Sequence, residues 1–248
     1  MRLSKIALGL GLAAVTAFTA ANAAKITVDY RHELRSEYSQ NFDRICFITA
    51  FDNGVGAYVD SSVKSGSQGP TDKNTEYKDG QWGDFSANAV EMSLWYGYKM
   101  GNFTITPGII TETAGQTAYK PYLRLQYNTD FGLWFAVRPR YDYGRNDGPA
   151  GDTKNARIDA WIGYNSGNFG INYNYTHMWA LNDVEKKADG TYKKRTMWDN
   201  KDYNYEQNIA VNYRMGQWNP YFEIGDMSVA GDSDKRQLRF RAGIQYTF

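Results

Sequence analysis

The sequence is poor in residues that cross-link a chain or catalyse reactions. Of its 248 residues, one is cysteine and two are histidine, namely Cys46, His32 and His177. A lone cysteine cannot form an intramolecular disulfide, so Cys46 is expected to serve as a small apolar residue. Hydrolysis needs a base within hydrogen-bond reach of a nucleophile, and the sequence contains neither a Gly-x-Ser-x-Gly motif nor a His/Cys metal cluster. We therefore predict no enzyme activity, no cofactor and no metal site.

Long apolar runs are absent except at the N-terminus. Two basic residues near the start precede an apolar stretch, and Ala21-Asn22-Ala23 has the small-x-small form of a cleavage site. This pattern predicts a secretory signal peptide over residues 1–23 and a single mature domain over residues 24–248. The mature chain has no apolar run of about 18 residues, so no transmembrane helix is expected.

A large excess of charge of either sign is also missing. The full chain has a formal net charge of +1, and removal of Arg2 and Lys5 with the signal peptide brings it to −1. This balance, without a visible outward basic patch, argues against a nucleic-acid partner. Attraction for a charged solute must then come from how the charges are segregated in the fold.

Aromatic residues are abundant, at 16% of the chain, and include 20 tyrosines. Over residues 237–248, polar and apolar side chains alternate strictly, which indicates a β-strand with one polar and one apolar face. The same period recurs in KITVDYRHELR, VEMSLWYGYKM, KPYLRLQY, LWFAVRPRYDY, NARIDAWIGY and NYEQNIAVNYR. Aromatic abundance with this alternation is typical of a membrane β-barrel, and a secreted sugar-binding sandwich is the alternative.

The connections between the predicted strands are of two kinds that alternate along the chain. Five are tight and contain Gly, Asn or Asp, as hairpin turns do: 52–54, 101–102, 128–130, 166–168 and 216–217. Six are longer and polar and lie near residues 36–42, 65–85, 112–118, 145–154, 181–200 and 228–235. A soluble sandwich has no reason to sort its loops in this way. We predict an all-β fold, a twelve-stranded antiparallel transmembrane β-barrel with short periplasmic turns and longer extracellular loops.

The polar face of the strands should line the lumen of this barrel. Arg or Lys facing lipid at mid-membrane costs about 2–4 kcal/mol. Nine arginines occupy the polar face, and we predict that they line the pore and bind the solute: Arg31, Arg35, Arg44, Arg124, Arg138, Arg140, Arg157, Arg239 and Arg241. They lie on predicted strands 12, 1 and 2 and on strands 6, 7 and 8, so two arginine tracks should face each other across the pore.

Carboxylates are also predicted on the polar face. Some share the arginine strands (Asp29, Glu33, Asp142 and Asp159), and others lie on the walls between them (Glu91, Glu112, Glu206 and Glu223). Arginine outnumbers lysine at the inward positions, which favours an anion-selective channel because guanidinium matches carboxylate geometry and keeps its charge. A plugged barrel, whose Arg–Glu pairs serve only as a polar core, remains the alternative.

Several segments resemble the oligogalacturonate-specific porin family: DYRHELR, YKPYLRLQYN, RPRYDY, NPYFEIGDMSV and RFRAGIQYTF. That family also includes a channel for sialic acid. The resemblance implies a monomeric channel that carries acidic oligosaccharides across the outer membrane of a Gram-negative bacterium. It assigns the pore-lining role to the arginines of the matched motifs, Arg31, Arg124, Arg138, Arg140, Arg239 and Arg241. Loops 65–85 and 181–200 match no family motif, so another acidic sugar such as sialic acid, or a non-conducting structural or adhesive barrel, stays open.

The C-terminal aromatic residues are predicted at the periplasmic rim. Phe248, Tyr246 and Ile244 lie on the apolar face of the last strand, where an aromatic belt contacts outer-membrane lipid and lipopolysaccharide. A terminal Phe also resembles the signal that hands outer-membrane proteins to the barrel assembly machinery. His32 and His177 share the apolar face of their strands, so both are expected at the outer interface rather than in a catalytic centre.

Overall fold

The structure is a computed structural model that describes residues 24–37, 40–65, 85–146, 151–182, 185–186, 191–193 and 195–248. The predicted signal peptide and most of the predicted loop 65–85 lie outside the described residues. The signal peptide therefore stays a prediction. No helix long and apolar enough to span a membrane occurs in the described part of the chain.

The described residues form fifteen β-strands, which we number in chain order. These are β1 (Ala24–Arg35), β2 (Gln40–Phe51), β3 (Val55–Ser65), β4 (Ser86–Tyr96), β5 (Tyr98–Met100), β6 (Phe103–Thr113), β7 (Thr117–Asn128), β8 (Leu133–Arg145), β9 (Thr153–Ser166), β10 (Phe169–Ala180), β11 (Glu185–Lys186), β12 (Tyr192–Lys193), β13 (Tyr203–Tyr213), β14 (Trp218–Ser228) and β15 (Arg236–Thr247). β11 and β12 form a separate two-stranded sheet in the connection between β10 and β13.

The remaining strands close into one antiparallel barrel. β4 and β5 are two segments of a single barrel strand, because both pair with β6. The barrel therefore has twelve strands, which confirms the predicted fold class. It closes between β1 and β15, in a ladder that runs from Thr27↔Thr247 to Arg35↔Arg239. A closed sheet leaves no edge whose backbone groups would have to face lipid without partners.

The chain terminus takes part in this closure. The backbone N–H of Phe248 donates to the carbonyl oxygen of Ile26 at 2.9 Å. The Phe248 ring packs edge-on against Tyr246, with centroids 4.8 Å apart, and Tyr246 packs likewise on Trp218 at 4.6 Å. Phe248 is 68% exposed. The last residue thus belongs to an outward aromatic cluster at the rim where β1 begins and β15 ends.

The short turns form close to where the sequence predicts them. They span residues 52–54, 101–102, 129–132, 167–168 and 214–217. Gly132 shows why glycine is needed in such a turn. Its φ is +95°, and a Cβ at this position would lie 2.1 Å from the carbonyl oxygen of Asn165.

Two connections on the opposite rim are shorter than predicted. The one predicted at 36–42 spans 36–39, and the one predicted at 112–118 spans 114–116. Thr113 and Thr117 pair directly in the β6–β7 ladder. These β-branched residues suit a strand, so the sheet continues to the turn despite its polar sequence. Both connections therefore lie where the sequence predicts them but span fewer residues.

The polar face of every barrel strand lies inside. The hydroxyl of Tyr221 on β14 donates to Asp29 on β1 at 2.9 Å, although β15 lies between these strands. Side chains two strands apart converge in this way only on the concave side of a barrel. Asp159 on this face is 0% exposed, whereas Leu94 on the opposite face is 57% exposed. Polar side chains thus lie inside and apolar side chains outside, which is the reverse of a soluble domain and is what a lipid-facing exterior requires.

Candidate functional site

The nine predicted arginines all lie on the lumen face, in two groups. The first wall, defined here as β15, β1 and β2, contains Arg31, Arg35, Arg44, Arg239 and Arg241. The second wall, defined as β7, β8 and β9, contains Arg124, Arg138, Arg140 and Arg157. In the ring of twelve strands, β8 is six strands from β1 in either direction, so the two walls face each other.

Most arginines of the first wall are bound to carboxylates. Arg44 pairs with Asp29 and, at 3.2 Å, with Asp60. Arg241 bridges Glu33 at 2.7 Å and Glu223 at 2.6 Å. The two remaining pairs are Arg35–Glu33 at 2.8 Å and Arg239–Glu206 at 3.1 Å. The five arginines of this wall thus face five carboxylates, and their formal charges balance.

Arg31 differs from the other arginines of the first wall. Among the described residues it has no carboxylate within ion-pair distance, and its Nε is buried without a hydrogen-bond partner. It lies directly opposite Arg44 in the β1–β2 ladder. Arg31 and Arg44 also line a polar cavity of about 210 Å³, together with Glu91 on β4 and Glu112 on β6. This volume is enough for roughly seven water molecules.

The second wall has fewer carboxylates than arginines. Asp159 accepts hydrogen bonds from both Arg138 and Arg157, at 3.0 and 2.7 Å, and from the hydroxyl of Thr176 at 2.7 Å. Arg140 forms a two-pronged pair with Asp142 at 2.6 and 2.7 Å. Three of the four arginines of this wall therefore pair with two carboxylates, and positive charge is in excess.

Arg124 has aromatic rather than acidic neighbours. It forms no ion pair among the described residues, and its Nε is buried without a hydrogen-bond partner. Its guanidinium carbon lies 5.2 Å from the ring centroid of Trp161. Arg138 lies 5.3 Å from the same ring and 5.4 Å from the ring of Tyr122. These are cation–π distances, so the rings hold two cations without neutralising them.

Lys120 is an inward cation that our sequence analysis did not identify. Its Nζ lies 2.8 Å from Glu112 and 3.5 Å from Glu91, and the hydroxyl of Tyr58 also donates to Glu91. Glu91 and Glu112 are cross-strand neighbours on β4 and β6. The alternation of KPYLRLQY places Lys120 on the same face as Arg124, which is the signal that could have revealed it.

Aromatic rings on the lumen face lie over glycines of neighbouring strands. A Cβ added at these glycines would lie 2.2–2.4 Å from the ring that covers them, in the pairs Trp95–Gly56, Tyr122–Gly108, Trp134–Gly163 and Tyr221–Gly243. A ring that occupies the space above a glycine lies along the wall instead of projecting into the lumen. The glycines therefore keep the lumen wider than its aromatic content suggests.

Both histidines lie on the outer face. His32 contacts Asp43 at 3.0 Å, and the hydroxyl of Tyr30 donates to the same carboxylate at 2.7 Å. His177 accepts or donates a hydrogen bond with Tyr175 at 3.0 Å and packs on Trp179 with ring centroids 4.3 Å apart. In these contacts His32 has a carboxylate partner and His177 a phenol, and neither ring meets a Ser, Thr or Cys side chain. No group of three or more His, Cys, Asp or Glu side chains is placed to hold a metal ion within the described residues.

Two charged groups near the strand ends of the long-loop rim have shifted pKa values. A hydrogen bond from the Tyr143 hydroxyl, 2.5 Å long, and one from the Asn146 backbone N–H hold the pKa of Asp152 below its ordinary value. A hydrogen bond to Asp199 raises the pKa of Lys201. Both groups are therefore charged at neutral pH.

A closed barrel of this kind, apolar outside and lined by ionised side chains, is the architecture of bacterial outer-membrane proteins. A model of the family described as oligogalacturonate-specific porin protein (KdgM) matches residues 18–248. The uncharacterised protein YiiY of Salmonella typhimurium is 36% identical over 230 residues, or 92% of each chain. The oligogalacturonate-specific porin KdgM of Dickeya dadantii is 32% identical over 240 residues, or 95% of this chain and 97% of KdgM.

A third relative has a solved structure. The N-acetylneuraminic acid outer membrane channel protein NanC of Escherichia coli is 26% identical over 255 residues, or 99% of each chain. A NanC porin structure superposes with a TM-score of 0.68 at 20% identity, and the match covers 89% of this chain and all of that one. The chain belongs to the oligogalacturonate-specific porin family. It is an outer-membrane porin of the Gram-negative type, a class of channels rather than enzymes.

Proposed function

We propose that this porin is a passive, anion-selective channel for acidic oligosaccharides, with oligogalacturonates as the first class of solute. The observation that carries the proposal is the arrangement of nine inward arginines on two facing walls, with excess positive charge on the second wall. The names of KdgM and NanC, an oligogalacturonate porin and an N-acetylneuraminic acid channel, support an acidic sugar as the solute.

Solute carboxylates would move along the walls by replacing protein carboxylates. An arginine that already pairs with Asp or Glu gains little when it exchanges that partner for a carboxylate of the solute, because one charge-assisted bond replaces another. The resulting wells are shallow and numerous, as transport requires. Low-dielectric walls would concentrate the positive field in the lumen and raise the local concentration of anions.

A non-conducting barrel is the second candidate. The balanced ion pairs of the first wall, such as Arg241 between Glu33 and Glu223, are those expected of a polar core that only stabilises the barrel. A sialic acid channel is a variant of the first proposal, since both solutes offer a carboxylate on a sugar ring. We also propose that the barrel works as a monomer in contact with outer-membrane lipid and lipopolysaccharide.

Planar-bilayer recording tests the proposal. In a salt gradient at low ionic strength, we expect the sign of the reversal potential to show anion preference. This preference should decline as salt rises, because the Debye length falls to about 8 Å at physiological ionic strength. Digalacturonate should reduce the single-channel current, whereas a neutral disaccharide of the same size should do so weakly. Cation preference at low salt would contradict the anion channel, and an absence of conductance would favour the non-conducting barrel.

A further inference from the structure

We propose that the second wall holds the principal binding site for the solute carboxylate, formed by Arg124 and Arg138 beside the rings of Trp161 and Tyr122. This inference rests on the proposed function, and it assigns unequal roles to two walls that look alike in sequence. The site would take a uronate unit, with its carboxylate on the guanidinium groups and the C–H face of its sugar ring on an aromatic side chain.

The charge balance of the two walls is the first argument. On the first wall five arginines face five carboxylates, so the wall has no net charge, and at each of the four paired arginines a solute anion must displace a protein anion. On the second wall Arg138 and Arg157 share the single carboxylate of Asp159, and Arg124 has none among the described residues. This part of the wall thus carries two uncompensated positive charges. An incoming carboxylate gains Arg124 there without displacing a protein carboxylate, and it lies beside Arg138, whose partner Asp159 keeps Arg157.

The way in which Arg124 is held is the second argument. Trp161 on β9 lies directly opposite Ala136 on β8, whose small, buried side chain leaves room for the indole. The indole can thereby approach Arg124 on β7, one strand further on, to 5.2 Å. An aromatic ring attracts a cation through its quadrupole but adds no negative charge. Trp161 therefore positions Arg124 and leaves its charge available to a solute.

The aromatic rings at this site are the third argument. Tyr122 lies over Gly108 and so along the wall, 5.4 Å from the guanidinium carbon of Arg138. Trp161 contributes a second ring on the same wall. A uronate has a negative carboxylate attached to a ring with an apolar C–H face, which matches a guanidinium next to an aromatic surface. A small inorganic anion would use only the guanidinium half of this site.

Arg31 provides a matched comparison on the opposite wall. Like Arg124, it has a buried Nε with no hydrogen-bond partner, and its removal leaves no carboxylate without its ion pair. Its cross-strand neighbour is Arg44, which is already bound to two carboxylates. Among the described aromatic rings, none lies within cation–π distance of Arg31. Arg31→Gln and Arg124→Gln therefore remove the same charge from the lumen, but only Arg124→Gln removes the proposed site.

The experiment measures the blocking constant of digalacturonate in planar bilayers at low salt for the wild type and both variants. A hydrogen-bonded charge contributes about 1.5–3 kcal/mol, so Arg124→Gln should weaken the block about tenfold or more. Arg31→Gln should weaken the block by less than about threefold, because it only lowers the positive field of the pore. Equal effects, or a larger effect of Arg31→Gln, would overturn the assignment to the second wall.

Trp161 is tested as a positioning residue by a pair of variants. Trp161→Leu should weaken the block nearly as much as Arg124→Gln, and Trp161→Phe should restore much of it because a ring again lies beside the cation. Block by chloride-sized anions should change less than block by digalacturonate. If Trp161→Leu and Trp161→Phe behave alike, the ring has no positioning role and Arg124 is not held for the solute in the proposed way.

Two controls keep the outcomes distinguishable. The shift between heated and unheated samples on a gel reports whether each variant forms the barrel. If Arg124→Gln does not fold, Arg124→Lys takes its place, since it retains the charge without the planar fork. If the single variants Arg124→Lys and Trp161→Leu are both blocked by digalacturonate as strongly as the wild type, the proposal is overturned. A wild-type channel with neither anion preference nor digalacturonate block would refute the proposed function itself, whereas a wrong wall would leave both properties intact.

Discussion

Replacing Arg138 or Arg140 by glutamine distinguishes a carboxylate that has two arginine partners from a carboxylate that has one. Asp159 binds both Arg138 and Arg157, so Arg138→Gln leaves it with a guanidinium partner. Asp142 is 8% exposed and is held by Arg140 through two hydrogen bonds. No second cation lies within ion-pair distance of Asp142 in the described part of the chain. Arg140→Gln therefore leaves a buried carboxylate without a partner.

The magnitudes follow from this difference. Loss of the partner of a buried polar group costs about 1–3 kcal/mol, and loss of one member of a fully dry ion pair costs about 3–5 kcal/mol. Asp142 is mostly buried but borders the lumen, so we expect Arg140→Gln to lower the free energy of unfolding by about 2–3 kcal/mol. Arg138→Gln should lower it by less than about 1 kcal/mol.

Urea titration of the refolded barrel, followed by tryptophan fluorescence, measures these free energies. The matched control is the double variant Arg140→Gln/Asp142→Asn, which removes both charges and should recover most of the lost stability. Equal destabilisation by Arg138→Gln and Arg140→Gln, or no recovery in the double variant, would refute the assignment of Asp142 to Arg140 alone.

Three further outcomes are expected. Gly163→Ala should push the indole ring that covers it toward the lumen and reduce single-channel conductance, whereas Gly97→Ala, whose new Cβ would have no neighbour closer than 3.6 Å, should leave conductance unchanged. Deletion of Phe248 should lower the amount of folded barrel in the outer membrane if this residue belongs to the assembly signal, and undiminished assembly would contradict that role. Tyr143→Phe should lower the thermal midpoint at neutral pH but not in acid. The hydrogen bond from Tyr143 holds the pKa of Asp152 below its ordinary value, so it stabilises the fold at pH above that ordinary value, and this stabilisation is lost as pH falls and Asp152 is protonated.

The fold was predictable because the geometry of a membrane barrel is encoded in short stretches of sequence. Alternate side chains of a strand point to opposite faces, and lipid tolerates charge on only one of them, so period two assigns inside and outside residue by residue. The same reasoning placed His32 and His177 outside. It did not anticipate Asp43 on the outer face, where Tyr30 and His32 satisfy its carboxylate. It also misjudged the polar segments 36–42 and 112–118, where the ladder continues closer to the turn.

By itself the sequence determined the strand count, the turn positions and the inward direction of all nine arginines, because alternation and turn chemistry are steric properties of neighbouring residues. Only the tertiary structure decided which arginines are neutralised. Arg241 and Glu33 are 208 residues apart in the chain, and Tyr221 and Asp29 are 192 apart. Their contacts depend on barrel closure and on the register between distant strands. The same lateral packing brings Trp161 beside Arg124, so the difference between the two walls arises in the closed barrel.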